Sequence, residues 1–286
     1  GRTRDDRGPR EPVFYSPGQM EIHVGRGEGA VKGRSDTGPF TWHNSFEDDT
    51  LTDTLLHQHA RKCYLEKWDV LQKIQLSTFR FDQRFDPSSS NVKNLSNFVQ
   101  SLVNSEVFRD VFKDIIPGGA AVRNIERIPC NVMNMAVYDA LGSCGVIRPN
   151  GAIVMCQEQL LDNGVVVESE LKRALFDPDS DAYQAVDHGE FINHLMEMFV
   201  LGGRFCQYED DFVIYSAVVK DFYKSLISVV KDSSNALHIS SAVYRIVEDG
   251  LFPATPGSPW NRFYIIVDAD KRQVHCLYFP RHNQTW

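Results

Sequence analysis

His188-Gly189-Glu190 has the H-x-[DE] spacing with which iron- and oxoglutarate-dependent oxygenases place a histidine beside a carboxylate. His194 or His275 would be the further imidazole of such a facial triad. The same residues have a structural account: Asp187 is a good helix N-cap, Glu190 follows at capping-box spacing, and His188 falls in the first turn. His57-Gln58-His59 offers two more imidazoles. Two apart on a helix they diverge by about 160°, whereas chelation of one ion needs the i, i+4 spacing. Cys206 is followed by Gln207, Tyr208, Glu209 and Asp210, and acidic neighbours raise a thiol pKa rather than activate it. No G-x-S-x-G elbow is present. Gly25-Arg26-Gly27-Glu28-Gly29 lacks the preceding strand and the Lys-Ser/Thr of a phosphate loop. The most unusual local feature is Glu209-Asp210-Asp211 between Tyr208 and Phe212. It reads either as a solvated turn or as an acidic recognition rim with aromatic anchors. Gln207, Tyr208, Glu209, Asp210 and Asp211 are therefore the candidate protein-interaction residues.

These residues have to be held by regular elements. Leu51, Leu55, Leu56, His59 and Cys63 recur at helical spacing, and the run continues through Leu65 and Trp68 to Leu71, with Asp48 or Asp49 as cap. The period then changes to two in IQLSTFRF, residues 74–81, which reads as a strand. Asp86–Asn91 reads as a loop, Leu95–Val103 as an amphipathic helix, and Pro117-Gly118-Gly119 as a turn into a strand near 120–128. A short helix at Val132–Leu141 and a strand at Ala152–Cys156 follow. Ser169 caps a helix that ends at Asp177-Pro178. The clearest helix is Asp187–Leu201, with Phe191, Leu195, Met198 and Phe199 as its buried stripe and Gly202-Gly203 as its stop. Another helix covers Val213–Tyr223. The runs LISVVK and HISSAVYRIV then alternate around Asp232–Asn235, and FYIIVD and QVHCLYF flank Ala269–Arg272 as a hairpin. The expected class is α+β, with a mostly antiparallel, β-rich C-terminal third.

Length and composition bound the remaining choices. The 286 residues carry a formal charge of −8, with 42% hydrophobic and 24% charged residues. That suffices for a sizeable core and argues against a phosphate backbone as main partner. No apolar run is long enough for a transmembrane helix, and the first residues lack the apolar stretch of an export leader. Six cysteines with no C-x-x-C pair read as reduced, mostly buried thiols of a cytosolic protein. Eight of the 19 glycines and four of the 13 prolines fall in Gly1–Phe40. Residues 1–50 are accordingly expected to form a flexible or extended arm, pinned at its end by Phe40, Trp42 and Phe46, and residues 51–286 one α+β domain.

Six stretches resemble one family: KWDVLQKIQ (Lys67–Gln75), FRFDQRF (Phe79–Phe85), LGGRFCQYED (Leu201–Asp210), FYKSLISVVKD (Phe222–Asp232), ISSAVYRI (Ile239–Ile246) and FYIIVDADKRQVHCLY (Phe263–Tyr278). Together they are similar to the cilia- and flagella-associated protein 300 family from about Leu51 to Phe279. The LGGxxCQYED piece is the most specific. His188-Gly189-Glu190 lies outside these stretches. The resemblance implies a cytoplasmic and ciliary protein that helps assemble outer and inner dynein arms of motile axonemes. It implies no catalytic activity and no cofactor. Its partners would be axonemal dynein subunits or cytoplasmic dynein assembly factors, with intraflagellar transport as carrier. Two alternatives stand beside it: a structural subunit resident on microtubule doublets, and a metal-dependent, oxygenase-like enzyme, active or degenerate.

Overall fold

A computed structural model describes residues 40–45, 48–87, 92–113, 122, 124–247 and 260–280. The Gly25–Gly29 stretch, Phe46, the 117–119 turn, residues 88–91 of the loop and the proline-rich segment before Trp260 lie outside them. So do residues 1–39, which make up most of the expected arm. The described elements belong to the compact unit Pro39–Trp286.

The centre is a six-stranded antiparallel sheet. Its strands are β1 (Trp42–Asn44), β2 (Gln75–Phe81), β3 (Ile125–Ile128), β8 (Ser241–Ile246), β9 (Arg262–Asp268) and β10 (Gln273–Phe279), in the order β1-β2-β10-β9-β8-β3. Two small hairpins stand apart: β4 (Met155–Leu160) with β5 (Val166–Ser169), and β6 (Val229–Lys231) with β7 (Leu237–Ile239). The helices are α1 (Asp48–Thr52), α2 (His59–Lys67), α3 (Val92–Asn104), α4 (Glu106–Phe112), α5 (Asp139–Ser143), α6 (Glu170–Phe176), α7 (Phe191–Leu201) and α8 (Phe212–Leu226). The α+β class and the antiparallel C-terminal third are as expected.

Antiparallel sheets commonly leave one face to water. Here both faces are covered, and every residue of β9 and β10 is buried. On one face Leu76, Val243, Tyr264, Ile266, Leu277 and Phe279 join a core with α2, α6, α7 and α8. On the other, Phe79, Phe81, Phe263, Ile265, Val267 and Tyr278 meet α3 and α4 through Phe98, Leu102, Phe108 and Phe112. Phe98 stacks on Phe85 with centroids 3.9 Å apart and receives Phe40 edge-on at 4.9 Å. Trp42 is buried beside them on the edge strand, its Nε1–H donating to Ser101 Oγ over 2.7 Å.

Three local expectations change. The helix from Leu51 does not run to Leu71. A π-turn at Asp53–His57 ends at Gln58, which is extended (ψ 125°), and α2 starts afresh at His59. Leu55 and Leu56 on this turn are both buried, at 0% and 5% exposure. Arg61 holds the break by donating to Thr54 O and to Gln58 Oε1. Second, α7 starts at Phe191 rather than Asp187. Asp187 Oδ1 closes a short turn on Gly189 N–H at 3.1 Å, and Glu190 takes the N-cap position without a side-chain cap bond. No stripe exists on α7 either, because all of its residues are buried. Third, among the cysteines Cys276 alone is buried, and Cys63 and Cys144 are exposed; all six are free thiols.

The two-sided core gives a first prediction. Phe263 packs against Phe108, Phe112 and Tyr278 and is fully buried, so Phe263→Ala should cost about 3–5 kcal/mol. Leu160 on β4 is 65% exposed, so Leu160→Ser should stay within about 0.5 kcal/mol. Urea midpoints of the two variants check both.

Candidate functional site

The segment from α7 to α8 holds all five candidate interaction residues. It is built against the end of α2. Gly202 has φ 59°, and a Cβ there would lie 2.8 Å from Trp68 O and 2.4 Å from Cys206 Sγ. A Cβ on Gly203 would lie 2.3 Å from the backbone oxygen of Asp69. Backbone therefore meets backbone, and the contact is sealed by hydrogen bonds. Gly203 N–H donates to Trp68 O over 2.9 Å and Gln207 N–H to Lys67 O over 2.9 Å. Phe205 N–H reaches Asp69 Oδ2 at 3.0 Å. Asp69 itself is left-handed (φ 55°), which an aspartate tolerates better than a bulky residue.

Glu209 completes the joint from inside. It is only 6% exposed. Its Oε1 accepts Trp68 Nε1–H at 3.1 Å, and its Oε2 accepts Lys67 Nζ at 2.8 Å. Its backbone N–H donates to Tyr215 Oη over 3.2 Å. Trp68 is fully buried and stacks on Tyr215 with centroids 4.6 Å apart. The next two residues tie down the exit: Asp210 O accepts Ile153 N–H at 2.7 Å, and Asp211 Oδ1 accepts Val213 N–H at 2.9 Å as the cap of α8. The acidic triplet thus divides three ways, into an internal ion pair, an exposed carboxylate and a helix cap.

Outward, the same segment displays Arg204, Gln207, Tyr208 and Asp210, with Phe205 74% exposed. The Arg204 guanidinium lies 5.7 Å from the Phe205 ring centre. Phe205, Lys67 and Trp68 were not among the candidates. Lys67 and Trp68 open one resembling stretch and Phe205 lies inside another, so the pairing of these stretches in space was the available signal.

The oxygenase-type residues each take a different hydrogen-bond partner. His188 stacks on Tyr183, with Nδ1 3.1 Å from Glu197 Oε1 and Nε2 donating to Tyr183 O at 3.0 Å. His194 Nδ1 lies 2.9 Å from Tyr264 Oη, and His275 Nδ1 lies 2.9 Å from Thr78 Oγ1 across the β10–β2 rung. Among the described residues no group of three His, Cys, Asp or Glu side chains is placed to hold a metal. The His57/His59 pair falls on the helix break, on separate elements. Burial pushes the Cys130 thiol up to about 11, and burial also raises Cys156, which disfavours the nucleophilic thiolate in both.

Three variants probe this geometry. Gly203→Ala must push α2 and the 201–211 loop apart, and should cost at least about 3 kcal/mol or prevent folding. Glu209→Ala strands the Trp68 indole N–H and should cost about 1–3 kcal/mol, read from urea titrations. The third concerns His194, whose pKa burial lowers from 6.5 to about 4. Above pH 6.5 it is neutral folded or unfolded. Between pH 6.5 and about 4 only the unfolded chain takes up the proton, so stability falls as pH falls through that window, by on the order of 3 kcal/mol. His194→Gln should flatten that slope in unfolding curves measured across it.

A family model for Cilia- and flagella-associated protein 300 matches residues 44–279. The Cilia- and flagella-associated protein 300 of Paramecium tetraurelia is 27% identical over 231 residues, covering 79% of this chain and 89% of that protein. Its namesake from Chlamydomonas reinhardtii is 25% identical over 236 residues, covering 76% and 90%. No solved structure matches significantly. The family match spans both halves of the 67–69/201–211 joint and every strand of the central sheet except the first two residues of β1. The chain therefore belongs to the cilia- and flagella-associated protein 300 family.

Proposed function

We propose that this protein is a non-enzymatic factor of the cytoplasm and motile cilium. It assists assembly or transport of outer and inner axonemal dynein arms. Family membership supports the ciliary setting. The observation that carries a binding role is the 204–210 loop: Phe205, Tyr208 and Asp210 are exposed while Glu209, Gly202 and Gly203 pin the loop beneath them. Exposed aromatics on a rigid frame lose little conformational entropy on association, which suits a protein–protein contact. His188, His194 and His275 each bond to a different partner, and among the described residues no three such groups converge, which favours binding over metal-assisted chemistry. The partners in this reading are axonemal dynein subunits or cytoplasmic dynein assembly factors, and intraflagellar transport is the carrier.

The triple variant Phe205→Ser, Tyr208→Ser, Asp210→Asn tests this. All three side chains are exposed, so the thermal midpoint should hold. Expressed in ciliated cells that lack the protein, it should recover less dynein heavy chain on affinity capture and leave the cilia with fewer dynein arms and weaker beating. A folded variant that restores arms and beating would remove this loop as the contact. Salt extraction of demembranated axonemes separates a transient factor, which is lost, from a resident subunit, which stays.

A further inference from the structure

The second hairpin, β6–β7, is a separate surface at the other end of α8, about 22 Å from the loop by the rise of a 15-residue helix. Its residues 229–231 and 237–238 are exposed on a two-stranded ladder, including three aliphatics: Val229 and Val230 at 43% and Leu237 at 48%. An isolated two-stranded ladder is marginal in water, yet this one has a built tip. Asp232 Oδ1 accepts the N–H groups of Ser234 and Ala236, and Oδ2 meets His238 Nε2 at 2.7 Å.

The hairpin leaves one strand edge open in a particular way. Strand β8 passes through Ser240 into β7, but its neighbour β3 stops at Ile128. Pro129 has no N–H to continue a ladder, and its oxygen turns away to accept Phe191 N–H at 2.9 Å. Strand β6 departs on the opposite side, toward β9, where Ser228 N–H donates to Ser241 Oγ and Lys271 Nζ donates to Ser228 Oγ. The ladder bonds Ser240 N–H to Ser228 O and Asp232 N–H to Ala236 O fix the alternation. By that alternation the N–H and C=O groups of Leu237 and Ile239 point away from β6. Among the described residues nothing pairs with them. At the foot of this edge lies a cleft of about 390 Å³, lined by Pro129, Cys130, Ile239 and Arg127.

The charge here runs against that of the chain. The protein carries −8 in total, yet Arg127 at the cleft, Lys231 on β6 and Lys224 beside the root are exposed and make no ion pair among the described residues. The cleft is lined by no carboxylate, and Asp232 is already saturated by the tip. We propose that the free edge of β7 binds an extended, acidic segment of a partner protein that carries aliphatic side chains at alternate positions. Its backbone would extend the ladder where β3 stops, one aliphatic side chain would enter the cleft, and its carboxylates would meet Arg127 and Lys231.

The test uses the full chain and a fluorescent ten-residue peptide of alternating valine and glutamate, with the valine–lysine peptide as comparison. The acidic peptide should bind at least tenfold more tightly, and more weakly as salt rises. The double variant Arg127→Glu, Lys231→Glu should reverse that preference at an unchanged thermal midpoint. Hydrogen exchange at saturation should slow at the Leu237 and Ile239 amides. Equal or absent binding of the two peptides, or protection that misses 237–239, overturns the proposal. Protection of these amides by raised protein concentration alone would identify a second copy of the chain as occupant and overturn it equally.

Discussion

A sheet covered on both faces leaves its central strands nowhere to put a polar group except against another polar group. Four polar residues of β9 and β10 show how this is met. Arg262 reaches Glu197 at 3.5 Å, Tyr264 meets His194, His275 meets Thr78, and Asp268 meets Lys271 at 3.3 Å. Two of these partners sit on α7, which is buried on all sides. An unpaired buried charge costs several kcal/mol, whereas a slide along an apolar surface costs little. The Glu197 and His194 bonds therefore define how α7 lies on the sheet, while the surrounding aliphatics supply most of the binding area.

From α7 the same constraint passes outward. The helix ends at Gly202, and the chain immediately lies against the end of α2 so closely that no side chain fits between. Glu209 then reaches back to Trp68 and Lys67. The exposed residues of the loop are thus placed by groups that solvent does not reach. Removing a buried anchor and removing an exposed contact should be separable experimentally, the first through stability and the second through binding.

Much of this was legible in the sequence where the deciding forces are local. The β9–β10 hairpin, the Ser169 cap of α6 (its Oγ accepts Lys172 N–H at 3.3 Å) and the Gly202 stop all follow from spacing and residue type. The failures share a cause. Gln58 is extended where the apolar spacing runs on, and the bonds that hold the break come from Arg61 in the next helix. Asp187 forms a turn with Gly189 because Phe191 N–H is drawn to Pro129 O. Glu209 looked like one of three equivalent surface acids. What separates it from Asp210 is an indole N–H 141 positions earlier in the chain. Periodicity carries no information on such a partner, and the joining of two resembling stretches became visible only in three dimensions.

The order of strands in the sheet has a consequence for synthesis. Strand β2 leaves the ribosome early, but its principal neighbour, β10, is the last of the described strands to appear. Until then Phe79 and Phe81 have no strand beside them on that edge, and β8 lacks β9. Local helices can form during this wait, but the layer they must cover cannot. The nascent chain therefore holds Leu76, Phe79 and Phe81 of this strand without their sheet partner for most of its translation. A message that stops before Arg262 would encode both helical layers without the sheet centre that joins them, and would make a product for the cell's quality control rather than a shortened working protein.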